Sequence, residues 1–569
     1  MTVTQQAVDD CVQWAVENGS KIPSEYEFKY NKLSGTSCVA SKAFTSTTDP
    51  LEIHKSVVLT NTVAKHGLEK YVSEHESLGS LPPNALLKLF IVLLKKNILG
   101  AGLNFDFENG KKSDFYQPYI KVLPEDILSP LLWNDSEVAL LQGSDLILKR
   151  NSILQNQIVP EFNAVLSKFS FPKDKNVEVT LQDYVWAHLI VTSRGFPAIL
   201  ISDDASSKNE AFLWPIVDFL NHESTANVKW NYTDPYLTFT SSTETKGIGK
   251  GQEIFNNYGD NKTTDDLLLS YGFLPTAPVQ DDFTMITLRV PSKEVFSECE
   301  KTHYIKFDEV LESSTDNSCI VKFKAYGKFN LPINLIKFFS YLCKLSKETF
   351  LSVRSTLEGL DQLLKIMDSK LKFYKKKLQS TKQCRETVIS LIKNYKNVMK
   401  QIFQSNIDII QQFEKNLIAT SLKNDTMKSF KTCIKEDTVF QNSLLLVFGT
   451  FDYNKLKEQN LLQQILLLYI VKQGKTPANQ ALGTTNTIIK NTFIQTGKEI
   501  EVDTEDLKEY TALYNTFFPS LERKIPEVYG NGWTLQDFVV ADTVVDRTCW
   551  QRPINQEIFF IEQKPYSLM

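Results

Sequence analysis

A chain of 569 residues has room for two to four domains and for large hydrophobic cores. Its 42% hydrophobic and 23% charged residues are the composition of a soluble globular protein. The net charge of −4 argues against a strongly nucleic-acid-binding or membrane-surface protein.

From the amino terminus, no basic region followed by an apolar run predicts a secretory signal. Gln6 to Asn18 places Val8, Cys11, Val12, Ala15 and Val16 at helical spacing, with Gly19 as a stop. From Glu27 to Val58 the texture is of short β-type pieces, with turn chemistry at Asn31 and Ser34-Gly35 and the clearest strand at Lys55 to Thr60. Pro82-Pro83-Asn84 starts a helix that Gly100 ends. This stretch, Ala85 to Leu99, is the most apolar in the chain. It is broken by Lys88, Lys95 and Lys96 and is shorter than the roughly 20 apolar residues that span a bilayer.

The region from about 82 to 192 reads as mostly helical, ending in Leu181 to Ser193, where Tyr184, Val185, His188 and Leu189 share a face. Residues 211 to 260 read as strands and hairpins. Asp234-Pro235 turns Val228-Lys-Trp230 into Leu237-Thr-Phe239, and Lys246-Gly-Ile-Gly-Lys-Gly251 precedes a strand from Glu253 to Asn256. Thr263 or Thr264 caps a short helix ending at Gly272.

After Val290-Pro291 the pattern turns helical from about Leu331 to Leu422, with Leu357, Leu360, Leu364, Met367 and Leu371 in one stripe. Lys375-Lys-Lys377 fits a solvated helix face better than a nucleic-acid patch. Leu444 to Val447 and Leu461 to Val471 are further helical segments.

Several signatures are absent. Gly474-Lys-Thr476 lacks the upstream glycine of a phosphate loop, since position 469 is Tyr, and Gly247-Ile-Gly249 leads into a strand rather than a helix. Neither H-E-x-x-H nor G-x-S-x-G occurs. Eight cysteines, at 11, 38, 299, 319, 343, 384, 433 and 549, form no compact ligand set. They predict buried free thiols in a reducing compartment.

One stretch stands apart. Pro215-Ile-Val-Asp218-Phe-Leu-Asn221-His222 sets an Asn-His pair behind an apolar run. Asn256-Asn-Tyr258-Gly259 ends the following strand, and Ser270-Tyr271-Gly272-Phe273 closes the next helix. In this order the sequence resembles the SET-domain protein lysine methyltransferases. The branch it resembles contains the Rubisco large-subunit methyltransferase and the fungal ribosomal-protein lysine methyltransferases. The local match covers about residues 185 to 290.

That resemblance implies an α+β fold. Residues 1–290 form a β-rich SET domain with a helical insert at about 82–192, and residues 291–569 an all-α C-terminal substrate-binding domain. It implies S-adenosylmethionine as cofactor and no metal. Cofactor contacts fall on Asn221 and His222, on Asp218 and Arg194, on Tyr258, and on the turn Gly35-Thr36-Ser37, where the family's second glycine is Ser37 here. Glu223 stands where the family commonly has Ser. Tyr258 takes the position of the catalytic tyrosine, Tyr271 completes the lysine channel, and Phe273 shapes its wall.

Transfer of a methyl group to a neutral amine requires a deprotonated lysine, whose free pKa is about 10.4, and in-line alignment of nitrogen, methyl and sulfur. An aromatic channel supplies desolvation and cation–π attraction. The expected substrate is a protein of the large ribosomal subunit in the cytoplasm, compatible with a nuclear pool. Neither direct nucleic-acid nor membrane binding is expected. A translation elongation factor is the alternative substrate, and an inactive SET-fold binding protein the alternative of another class.

Overall fold

The computed structural model describes residues 3–568 except 33–34, 75, 108–109, 173–174, 176, 203–207, 224, 243–246, 260–261, 275–282, 313–315, 328–329, 380–381, 478, 519 and 531. Ser34 and Lys246, named above, lie outside the described residues. The chain divides into two compact units, Met1–Pro278 with Lys376–Asn397, and Val279–Lys375 with Val398–Met569.

In the first unit the helix Gln5–Glu17 starts at Thr4, whose hydroxyl accepts from the Ala7 amide, and buries Val8, Cys11, Trp14 and Ala15 along one face. The strands Tyr26–Asn31 and Gly35–Ala40 form an antiparallel hairpin, registered from Tyr26 opposite Ala40 to Asn31 opposite Gly35. A three-stranded sheet places Tyr236–Ser242 between Leu51–His54 and Asn227–Thr233, and Asp234-Pro235 joins Asn227–Thr233 to Tyr236–Ser242 as expected.

The strand expected at Lys55–Thr60 is corrected. The strand is Leu51–His54, and Lys55–Val57 is a 3-10 turn in which His54 Nδ1 accepts from the Ser56 amide at 3.2 Å. Leu59 keeps only a single bridge, to Leu213. A local side-chain cap outcompetes the β-propensity of Val57-Val58-Leu59. The strand expected at Glu253–Asn256 likewise reduces to two single bridges, Val39 to Glu253 and His222 to Asn256.

The insert is helical, as its periodicity predicts. Asn84, at φ +67°, precedes the helix Ala85–Ile98, and Thr180 with Asp183 forms a capping box for Leu181–Arg194. Lys96 reaches Asp183 at 2.8 Å, which ties the end of the first helix to the start of the second.

The second unit is mainly helical and also carries two three-stranded antiparallel sheets, which corrects the all-α expectation. In one, Cys319–Tyr326 lies between Phe283–Val290 and Glu309–Glu312; in the other, Ile558–Ile561 lies between Met427–Ser429 and Cys549–Gln551. Alternate burial of Cys319, Val321, Phe323 and Ala325 is the period-2 signal for the central strand of the first sheet. The helix Val353–Lys375 buries Leu357, Leu360, Met367 and Leu371; the third stripe position is taken by Leu363 rather than Leu364. Lys375, Lys376 and Lys377 are exposed. The helix Leu462–Gly474 is buried along most of its length. All eight cysteines are free, and all but the partly exposed Cys343 are buried.

On Val353–Lys375, the Asp361 carboxylate accepts from Trp550 Nε1 at 2.8 Å. Burial pushes its pKa up to about 6, with Glu414 and Glu358 adding and Trp550 and Lys365 opposing. Its folded pKa therefore exceeds the unfolded value of about 3.9, so ionisation costs stability as pH rises between those values. Asp361→Asn keeps the acceptor for Trp550. It should stabilise the protein at pH 7 by on the order of 1 kcal/mol, discounted because Asp361 is partly solvated. The gain should vanish below about pH 4, as thermal melts at the two pH values will read.

Candidate active site

Three stretches remote in sequence lie side by side in the first unit. The strand Gly35–Ala40 bonds on its free side to residues 251–254: Ala40 N–H to Gln252 O at 2.8 Å, Ile254 N–H to Cys38 O at 2.8 Å, and Gly251 N–H to Ala40 O at 2.7 Å. Two residues on, Asn256 N–H donates to Asn221 O at 2.8 Å and Glu223 N–H to Asn256 O at 3.0 Å. This is a parallel bridge centred on His222 and Asn256. Side chains fix the same seam. Asn221 Nδ2 donates to Glu253 Oε1 at 2.7 Å, and Asn256, 1% exposed, accepts from Trp230 Nε1 at 3.2 Å and from the Asn257 amide. Glu223 contributes its backbone to the bridge while its carboxylate takes the Thr225 hydroxyl, so its departure from serine leaves the seam intact.

The seam launches a column of rings. His222 stacks on Tyr258 at 5.0 Å and 17°, Tyr258 on Tyr271 at 5.1 Å and 14°, and Phe273 meets Tyr271 edge-on at 6.1 Å. The Tyr258 amide donates to His222 Nδ1 at 3.0 Å, and its hydroxyl donates to Leu220 O at 2.9 Å. The Lys262 ammonium lies 5.9 Å from the Tyr271 ring centre. Burial pushes the Tyr258 hydroxyl above its ordinary pKa, with Arg194 opposing, and pushes Tyr271 up to about 12, with Asp266 adding. Both phenols are therefore protonated at neutral pH, and the Tyr258 hydroxyl acts as a hydrogen-bond donor rather than a base.

Tyr271 ends a short helical turn that Thr263 and Asp266 start with a capping box. Gly272 ends it at φ +75°, and a Cβ there would lie 3.0 Å from the Leu128 and Ser129 amide nitrogens. Gly272→Ala meets both a backbone wall and a disfavoured conformation. It should cost about 1–2 kcal/mol and lower turnover by displacing Tyr271, measurable by melting and by labelled methyl transfer.

Arg194, the last residue of Leu181–Arg194, donates from Nη1 to Asp218 O at 2.8 Å and to Asp218 Oδ2 at 3.3 Å. Tyr119, from the insert, donates to the same Oδ2 at 2.7 Å. The Asp218 side chain is 0% exposed. Burial raises its pKa, and Arg194 and Tyr119 only partly reverse this. Asp218, expected among the cofactor contacts, thus holds Arg194 from behind. Gly35, Thr36 and Ser37 open the strand that bonds to residues 251–254, and their link to the ring column runs through that seam. Sequence reasoning missed Tyr119, Trp230 and Glu253 as supports, since each acts across a long separation without a local pattern.

The residues present fit an adenosyl sulfonium. An added Cβ at Gly35 or Gly259 would meet no atom within 4 Å, which leaves room at both turns. A parallel bridge uses the groups of the residues flanking its centre, so the backbone N–H and C=O of His222 point away from Asn256. Stacked electron-rich rings suit a cationic sulfur and an incoming ammonium. Among the described residues, no group of three or more His, Cys, Asp and Glu is placed to hold a metal ion, and no helix is long and apolar enough to cross a membrane.

A profile of the EFM1 middle domain matches residues 283–421. The protein-lysine N-methyltransferase EFM1 of Saccharomyces cerevisiae is 32% identical over 612 aligned positions, covering 100% of both chains. Ribosomal lysine N-methyltransferase 1 of the same organism is 22% identical over 422 positions, covering 65% of this chain and 70% of its own. The crystal structure of the SET domain of LSMT bound to lysine and AdoHcy superposes with a TM-score of 0.53 at 17% identity, covering 73% of this chain and 93% of that one. The fold is that of a SET domain, and the chain belongs to the EFM1 family of S-adenosylmethionine-dependent protein-lysine N-methyltransferases.

Proposed function

We propose that Tyr258, Tyr271 and Phe273 line the channel that admits the substrate lysine, and that the substrate is a translation elongation factor. The observation that carries the first part is the continuous stack from His222 through Tyr258 to Tyr271. S-adenosylmethionine supplies the electrophilic methyl. The backbone of Asn221-His222, the turn at Gly35-Thr36-Ser37, and Arg194 hold the cofactor, with Asp218 behind Arg194. Desolvation among the rings and the nearby positive charge favour the neutral amine. The Tyr258 hydroxyl and the Leu220 carbonyl fix the direction of approach.

For the substrate, the full-length relationship to EFM1 moves the ribosomal class from first to second place, because the ribosomal enzyme aligns over 65% of the chain at lower identity. That shared stretch is the observation that keeps a large-subunit protein as the second reading. Residues 291–569 serve protein recognition, and the enzyme works in the cytoplasm, with a nuclear pool compatible with the ribosomal reading. Purified elongation factors and large ribosomal subunits, each incubated with enzyme and labelled cofactor and mapped by mass spectrometry, distinguish these readings. Label on an elongation-factor lysine is expected. Label on a ribosomal protein alone overturns the choice, and cofactor binding without transfer to any protein points to the inactive binding protein.

A further inference from the structure

Residues 376–397 come from far along the chain yet belong to the first unit, where they meet two buried carboxylates. Arg385 forks onto Glu137, Nε to Oε1 at 2.9 Å and Nη2 to Oε2 at 3.0 Å, and its own amide adds a bond to Oε1 at 2.9 Å. Ten residues later the Tyr395 hydroxyl donates to Asp265 Oδ1 at 2.9 Å. The Glu137 side chain is 0% exposed and that of Asp265 2%.

Asp265 secures the start of the helical turn that carries Tyr271, and Glu137 anchors the segment whose preceding backbone, Leu128–Ser129, meets the end of that turn. Asp265 sits in the first turn, Thr264–Asp266, and its other oxygen takes the Lys149 ammonium at 3.1 Å. Glu137 belongs to Asp135–Ala139, capped by Asn134, which closely follows the Leu128–Ser129 backbone against which Gly272 is pressed. Ser129 Oγ donates to Leu269 O at 2.5 Å, within the same turn. Gln383 strengthens this end, accepting from Asn134 Nδ2 at 3.2 Å and from the Ser136 hydroxyl at 2.7 Å.

We infer that Arg385 and Tyr395 are positioning residues for methyl transfer, holding the Tyr271 turn at both ends so that its ring stays parallel to Tyr258. The inference rests on the channel role proposed for Tyr271. The hydrogen bonds of Arg385 and Tyr395 go to Glu137 and Asp265 and not to the rings of the column. They act by removing the freedom of the turn to tilt, and a displacement of about 1 Å at a reacting centre can cost 10²-fold in rate. Arginine suits the Glu137 end because its planar fork pairs both carboxylate oxygens.

A double-mutant cycle tests this on the full chain. Tyr395→Phe should lower kcat about 5- to 20-fold with cofactor Kd within twofold. In a Tyr271→Ala background the same change should have less than a twofold effect, since the ring it positions is gone. Arg385→Lys keeps the charge but loses the fork onto Glu137, and should show the same non-additivity with Tyr271→Ala as Tyr395→Phe. Near-normal turnover in Tyr271→Ala removes the channel role itself. If Tyr271→Ala is impaired but Tyr395→Phe is not, or Tyr395→Phe lowers kcat equally in both backgrounds, the positioning inference alone is overturned.

Discussion

Replacing Tyr258 by phenylalanine is expected to lower kcat by roughly 10²- to 10³-fold, with the cofactor dissociation constant unchanged within about twofold. The substitution deletes one oxygen and little else. The ring stays in place because His222 and Tyr271 stack on its two sides, and the bond to His222 Nδ1 comes from the backbone amide. What disappears is the hydroxyl that donates to Leu220 O, and with it one of two oxygens that define the line of attack. Since burial keeps this hydroxyl protonated, it contributes as a fixed dipole. Residual activity in the variant should therefore keep the native pH profile, rising with deprotonation of the lysine amine. Turnover with labelled cofactor decides the matter, and a near-native rate removes Tyr258 from the reaction.

Arg194→Met is expected to have the largest effect on stability, a loss of about 3–5 kcal/mol at neutral pH. It strands the Asp218 carboxylate with Tyr119 as its remaining side-chain donor, and Asp218 Oδ1 already has no hydrogen-bond partner. Asp218 then folds as the neutral acid, so its folded pKa rises further above the unfolded value near ~3.9. The cost relative to native protein grows as pH rises past the already raised native pKa of Asp218 and shrinks below it. Denaturant melts should accordingly show variant and native protein closer at pH 5 than at pH 8. Arg194→Met with Asp218→Asn should recover part of the loss, because the charge that lacked a partner is gone; no recovery would show that the arginine acts through packing alone.

Local pattern carried the helices and the turns. Helical spacing around Val8, Cys11 and Ala15, the Pro82-Pro83-Asn84 start, the Asp234-Pro235 turn and the Thr263-to-Gly272 span all describe what the chain does within a few residues, and each has its counterpart in the fold. The order of Asn221-His222, Tyr258 and Tyr271 was legible for the same reason. What escaped was long-range. Val57-Val58-Leu59 has the composition of a strand, but the His54 side chain claims the backbone at Ser56. The strand Glu309–Glu312 buries none of its residues fully and so offers no alternation to read. Tyr119, Arg385 and Tyr395 each bond to a carboxylate about 100 or more positions away, and such a bond leaves no periodic trace in sequence.

The placement of residues 376–397 within the first unit has a consequence for biosynthesis. Domains generally mature in order as the chain emerges during translation. Here the amino-terminal unit cannot finish when its own first 278 residues are out, because its last pieces arrive nearly a hundred residues later. Until Arg385 and Tyr395 emerge, Glu137 and Asp265 lack these two partners, and the nascent unit is expected to stay open to proteases and chaperones. Truncation at the apparent end of the amino-terminal region reproduces that immature state permanently, so genetic dissection of this enzyme into separately expressed halves should yield an amino-terminal fragment with poor protease resistance.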